Sequence, residues 1–426
     1  MIESIRMNNI NTSEIQSGIE PDFIAQLREK AKLTLLKKGI PNSHEEDWKY
    51  TPIHRYFPTG ESRISSDSSL IDHPFSSLDS FKIMVVNGEF KPELSDTHLP
   101  KELEIHSLEN AFNKPAFKTY FNQMGKERED YFTQLNNADF DRGLFIYLKK
   151  NSQLSKPLHI IHVYEGKDSR IQNSRNLILL EALSELTLLE SYISKESKEQ
   201  SVDIFSNDIS EYFLERGSKL DNIKYQSLGK ETRLVNTQLV DIHQHAEYKS
   251  HTYSLSGQLI RNNIQINLSE SESEAHLYGF YSLHNQELVD NHTLVKHLKP
   301  FCQSNELYKG VLDGKSIGVF NGRVEVSQDA QKTNAYQQNQ TILLSKEASM
   351  NSKPELEIFA DDVKCSHGST MGQLDTGALF YLQSRGISEK TAQKIMINAF
   401  AFSLLSEIAH EDIAFEIGEK IQFLNA

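Results

Sequence analysis

Leu180-Glu181-Ala182-Leu183-Ser184-Glu185-Leu186-Thr187-Leu188 and, further along, Glu211-Tyr212-Phe213-Leu214-Glu215-Arg216-Gly217-Ser218-Lys219-Leu220-Asp221-Asn222-Ile223 share one loose pattern. An acidic residue leads a short apolar run, a polar step follows, and a second short apolar run completes it. From about Asp141 onward such runs succeed one another with little helical periodicity, at 144–148, 158–163, 177–180, 186–189, 212–214, 220–225, 234–240, 265–268 and 342–344. Gln265-Ile266-Asn267-Leu268 shows the inward–outward alternation of a half-buried strand. Continuous β-structure over roughly 230 residues, with irregular turns and no strict period, fits a solenoid or β-helix, although a pair of packed sheets reads the same way.

The flanks differ in character. Phe23, Ile24, Leu27, Ala31, Leu33 and Leu36 recur at three- and four-residue spacing, which predicts a helix ended by Gly39-Ile40-Pro41. The polar first twenty or so residues are expected to fray, and the Ser/Asp-rich stretch 60–80 to loop out. Short strands such as 82–86 and a helical stretch at 111–135 fill the rest of this flank. Beyond the β-region, Leu379, Phe380 and Leu382 sit in a helix ended at Gly386. Ser388 caps a second helix with a broad apolar face of Ala392, Ile395, Met396, Ala399, Phe400, Phe402 and Leu405, and a third covers 411–423. So apolar a unit must pack on the β-region or on a partner. The expected organisation is a mixed helical unit over 1–140, a β core over 141–372 and a helical unit over 373–426.

Composition excludes several classes. A chain of 426 residues exceeds what one growing core fills. A formal net charge of −14 is wrong for gripping nucleic acid or an anionic membrane surface. Cys302 and Cys365 are the only cysteines, too few for a disulfide scaffold. The N-terminal sequence has no signal-like apolar run, and no window approaches the ~18 apolar residues of a membrane span. A cytoplasmic protein with reduced thiols is expected.

The sharpest local feature is Asp361-Asp362-Val363-Lys364-Cys365-Ser366-His367-Gly368. In a strand, Cys365 and His367 point to the same side, where a thiolate and an imidazole converge on one soft metal or cluster edge. Two ligands do not fill a tetrahedral site, so another chain would supply the rest. A small thiol beside a surface histidine reads identically from spacing alone, and a thiolate–imidazolium nucleophile lacks an orienting third group. His243-Gln244-His245-Ala246-Glu247, with His251, has an H-x-H look but reads better as a solvated face, and His276, His284, His292 and His297 as structural. Gly310-Val311-Leu312-Asp313-Gly314-Lys315-Ser316 is one residue short of a phosphate-binding P-loop and is followed by strand-like residues where a helix is needed. The acidic residues Asp361, Asp362, Glu287 and Asp290 read as turn carboxylates rather than a glycosidase pair.

Two stretches carry a family resemblance. Glu45-Glu46-Asp47-Trp48-Lys49-Tyr50-Thr51, which holds the single tryptophan, is similar to an N-terminal signature of the SufB/SufD family of iron–sulfur cluster assembly scaffolds. A longer likeness runs from Leu307-Tyr308-Lys309-Gly310 through Gly318–Val324, Asp329–Thr333, Lys353–Ile358 and Ala360–Gly368 to Phe380–Ile387. Lys364-Cys365-Ser366-His367-Gly368 resembles the SufD branch, and the chain lacks the extra cysteines of SufB. The resemblance implies a mainly β fold: a right-handed parallel β-helix flanked by an N-terminal mixed helical unit and C-terminal helices. It implies a non-enzymatic scaffold that pairs with SufB and docks the SufC ATPase through helices around 379–405, with a homodimer when the chain is alone. His367 and, beside it, Cys365 would face a transient iron–sulfur cluster at the SufB interface. No cofactor is expected in the isolated chain, and no flavin motif is visible. Two other readings stand beside it: a homodimeric metal-binding scaffold acting without SufB, and a polysaccharide-active β-helix enzyme, for which neither a secretion signal nor an acidic face is present.

Overall fold

Successive strands of one sheet begin at residues 233, 259, 288, 317 and 349, and those of the other at 247, 274, 303, 334 and 364. Each coil of the chain therefore gives one strand to each sheet. This computed structural model describes residues 20–58, 73–195 and 202–424. Its strands form a ten-stranded and a nine-stranded sheet, and from Arg233 onward each strand runs parallel to and in register with the next strand of its sheet. The sequence pattern was compatible with a solenoid or a sandwich; the alternation of strands between two parallel sheets makes it a β-solenoid. Coils turn through single left-handed residues, among them Gly217 (φ 69°), His245 (58°), Asn285 (53°) and Gly314 (64°). Glycine suits that backbone because it has no Cβ to clash, and Asn tolerates it.

Inward-facing residues stack rung on rung. Leu186, Leu220, Tyr248 and Ala275 are consecutive register partners, and all are buried in the lumen. The lumen also holds polar groups. Glu190 accepts a bond from Asn222 Nδ2 at 2.8 Å and lies 3.2 Å from Lys224 Nζ, and all three side chains are buried.

Outward-facing residues are covered by the flanks. Ala31 and Leu35 from the helix Asp22–Lys38, with Trp48, Ile53, Phe57, Phe132 and Leu135, pack on Phe205, Val235, Leu259 and Leu288 of the nine-stranded sheet. The helices Glu389–Leu405 and Glu411–Leu424 lay Ile397, Ala401, Leu404, Ile413 and Ile417 on Leu189, Ile223, Tyr253, Phe280 and Val311 of the ten-stranded sheet. The apolar surplus of the C-terminal unit is thus partly absorbed within the chain.

The N-terminal signature is a strap. Trp48 packs against the Arg261 guanidinium, 3.8 Å from its ring centre, and the Phe132 ring, 5.2 Å away. Arg261 Nη1 donates to Asp47 O at 2.7 Å, Thr51 Oγ1 donates to buried Asp290 at 2.5 Å, and Glu46 pairs with Lys353 at 2.9 Å. These partners belong to three different coils, so the short motif ties the flank to the stack.

Local expectations fared unevenly. The first helix spans Asp22–Lys38, and Gly39 at φ 74° sends its N–H back to Leu35 O at 3.1 Å. The helical stretch expected at 111–135 is broken into Leu108–Ala111, Pro115–Tyr120 and Tyr131–Asp139. Pro115 can only start a helix, and Asn122 at φ 58° interrupts the continuation. Residues 1–19 and 59–72, expected as a frayed end and part of a loop, lie outside the described residues; 73–80 is turn-rich and buries Phe75.

Candidate functional site

The two ends of the stack differ. At the first end, the two-residue strand Glu89–Phe90 and the five-residue strand Leu103–Ser107 run antiparallel to their neighbours and leave only short edges. At the other, the longer strands Ser349–Ile358 and Lys364–Gly372 pair, among the described residues, on one side only, with Ile317–Val326 and Asn334–Leu343. Two strands with an unpaired edge lie side by side there, beside exposed Tyr336, Ile358, Phe359 and Met371. Such an edge presents a row of free N–H and C=O groups for another chain to pair with.

Cys365 and His367 stand on this last strand. Their register partners are Ala335 and Gln337. Ala335 continues the inward-facing rung of Tyr248 and Ala275, so both Cys365 and His367 face into the mouth of the lumen. Residues two apart on one strand are about 6.6 Å apart along the backbone. Cys365 is half-buried against Ala335, Val324, Val326 and Ala360. Burial pushes its thiol up, opposed by a hydrogen bond with the Ala335 backbone. The His367 side chain is exposed. Farther along the mouth, Ser369 Oγ meets Ser352 Oγ of the opposite sheet at 2.8 Å, and Asn339 Nδ2 donates to the same Ser352 at 3.0 Å. Chemically this is a shallow donor set of one sulfur and one imidazole, soft enough for iron or zinc but short of four ligands.

Behind the mouth lie residues that sequence reasoning missed. Gln337 Nε2 donates to Glu306 Oε2 at 2.8 Å, and both side chains are 2% exposed. Burial pushes the Glu306 carboxyl up to about 7, against the hydrogen bond from Gln337 and the nearby Thr293 hydroxyl. No local signal marks them, because a buried Glu–Gln pair across 31 residues becomes visible only with the coil register.

The other candidates separate. Cys302 is wholly buried, 3.3 Å from Ser273 Oγ, and does not share the mouth. Asp361 and Asp362 are turn carboxylates as read: they form the turn before Lys364, and Asp362 pairs with Lys332. His243 and His245 likewise lie in a turn, paired with Asp241 at 3.3 Å and Glu272 at 2.9 Å, whereas His251 is buried in the following strand. Asp313–Ser316 links two strands, and no helix follows that could cradle a phosphate. On the C-terminal helices, Phe380, Tyr381, Ile395, Phe402 and Phe415 remain exposed, Phe380 and Phe415 at about 70%.

Comparison with known proteins agrees with this layout. The family model for the SUF system FeS cluster assembly SufBD core domain matches residues 162–400, and that for the SufBD protein N-terminal region matches residues 7–160. An iron–sulfur cluster assembly SufBD family protein of Synechocystis is 28% identical over 404 residues, covering 92% of this chain and 89% of its own. The iron–sulfur cluster assembly protein SufD of Escherichia coli is 28% identical over 395 residues, covering 91% and 90%. SufD of Bacillus subtilis is 27% identical over 302 residues, covering 69% and 67%.

Proposed function

The chain belongs to the SufB/SufD family of iron–sulfur cluster assembly proteins, and from that premise we propose that it is a SufD-type scaffold subunit, without turnover of its own, acting in the cytoplasm. The observation that carries this reading is the placement of Cys365 and His367 at the unpaired end of the solenoid. A SufB-like solenoid paired edge to edge would cover that mouth and add the donors the site lacks. Iron and sulfide are then cargo, held transiently between two chains, with His367 as a ligand and Cys365 as its neighbour. When the chain is alone, the same edge would pair two copies of it.

The exposed aromatic residues of the C-terminal helices are the docking surface for a SufC-type ATPase in this reading. Their buried faces rest on the same ten-stranded sheet that ends at Lys364–Gly372. Nucleotide-driven movement of two docked ATPases would pull on that sheet and open the mouth to iron and sulfide. The three units 1–140, 141–372 and 373–426 correspond to strap and cover, stack, and docking helices.

Anaerobic cluster reconstitution on the co-purified complex tests this. Iron and sulfide content is expected to fall in His367→Ala while the complex stays intact. Unchanged content would make the Cys365–His367 pair structural and leave the chain a docking scaffold only.

A further inference from the structure

Glu306, Gln337 and His367 are consecutive rungs of one inward-facing ladder, each the register partner of the next. The first two form a bracket. Gln337 turns its amide nitrogen to the acid, Nε2 donating to Glu306 Oε2 at 2.8 Å, the orientation that an ionised carboxylate, which can only accept, requires. The other end, Gln337 Oε1, is buried and has no hydrogen-bond partner among the described residues. Glu306 is equally unusual, since no cation pairs with it among the described residues, and its Oε1 is also buried and unpartnered. The facing wall is shaped to this arrangement, because a Cβ at Gly322 would collide with Gln337 Nε2. Leu277, one rung deeper on the same ladder, is apolar and buried. Packing alone would be served better by another leucine than by an uncompensated acid and a half-satisfied amide.

We propose that Glu306 and Gln337 are positioning residues for His367: Glu306 holds the Gln337 amide, and the Gln337 carbonyl oxygen takes the imidazole N–H, so that the other ring nitrogen faces out of the mouth. The exposed imidazole can turn to make this bond. A metal-binding histidine whose second nitrogen is anchored has a fixed tautomer and a fixed direction, and losing such an anchor costs about 10–100-fold in metal affinity. The inference rests on the assignment of His367 to the cluster interface made above.

Two readouts separate the inference from that assignment. The first is the rate of diethylpyrocarbonate modification at His367 in the full chain, diluted until it runs as a monomer and followed by mass spectrometry, with half-buried His243 and exposed His245 as internal controls. Gln337→Leu is expected to shift the His367 rate and leave the controls alone. The second is iron and sulfide retention by the co-purified complex, expected to weaken about 10–100-fold in Gln337→Leu. The exchanged pair Glu306→Gln with Gln337→Glu, which again offers His367 an acceptor, is expected to restore both. Glu306→Leu serves as the fold control, since it removes an uncompensated acid and is expected to melt no lower than the parent. An unchanged His367 rate in Gln337→Leu, or a Glu306→Leu chain that no longer folds, would overturn the proposal. If His367→Ala itself retains iron and sulfide, the interface assignment fails, and the modification rate alone decides the role of the bracket.

Discussion

Arg175 and Glu211 form an ion pair at 2.8 Å in which both side chains are wholly buried. Glu211 also accepts from the backbone N–H groups of Asn122, Met124 and Gly125 at 2.7, 2.9 and 3.3 Å. The pair therefore knots an irregular segment of the N-terminal flank onto two adjacent coils. Removing one partner leaves a charge in the dry interior and three amide donors without acceptors. Glu211→Ala is expected to lose about 3–5 kcal/mol of stability, read by urea unfolding. A loss below about 1 kcal/mol would mean that water reaches Arg175.

Trp48 gives the second prediction. It is 6% exposed, with the Arg261 guanidinium 3.8 Å and the Phe132 ring 5.2 Å from its ring centre. Trp48→Ala removes the filling of the strap and is expected to cost about 3–5 kcal/mol. Trp48→Phe keeps an aromatic surface under the guanidinium and should recover much of that. Thermal melts of the two variants, compared side by side, distinguish an anchor from a bystander.

Glu306 makes stability depend on pH with a definite sign. Burial pushes its folded carboxyl up to about 7, above its ordinary 4.5. Below 4.5 both folded and unfolded chains hold the proton, and the group contributes nothing. Between 4.5 and about 7 the unfolded chain has released a proton that the folded chain retains, so stability falls as pH rises. Above about 7 the full cost, roughly 3 kcal/mol at about 1.4 kcal/mol per tenfold, is present. Glu306→Leu should therefore gain stability over the parent at pH 8 and little at pH 4. Equal gains at both would place the effect in packing, not ionisation.

Gly310, read from sequence as a failed phosphate loop, has a packing role. A Cβ there would fall inside the Tyr281 ring, and a Cβ at Gly279 inside the Tyr308 ring. Each tyrosine fills the gap left by a glycine on the neighbouring coil. Gly310→Ala should destabilise by about 1–3 kcal/mol through overpacking, and adding Tyr281→Leu should relieve part of it. A calorimetric melt of the single and double variants tests this.

The docking surface is tested without touching the core. Phe402 and Phe415 are 61% and 70% exposed. Phe402→Glu with Phe415→Glu should leave the melting temperature within a few degrees of the parent and abolish co-purification of the ATPase. Retained co-purification at an unchanged melting temperature would move the docking site elsewhere.

The solenoid was half legible in the sequence. Alternating short runs such as Gln265–Leu268 reveal strands, but packed sheets and stacked coils alternate alike, and only pairing partners tell them apart. That Cys365 and His367 share a side followed from their spacing. That this side is the lumen, and that the lumen is open at that coil, did not, because inward and outward depend on which coil is last. The turn at His243–His245 escaped a strand-parity reading because a left-handed residue there resets the alternation. Glu306 and Gln337 gave no signal at all, since each looks like an ordinary polar residue until the ladder puts them one behind the other.

The unequal lengths of the strands at the two ends also set how far such chains can grow. A stack with two bare rims would add copies at both and lengthen into a fibre. Here the first end offers only the two-residue Glu89–Phe90 and the five-residue Leu103–Ser107, against ten- and nine-residue strands at the other, so pairing through the long rims would favour two chains over a fibre.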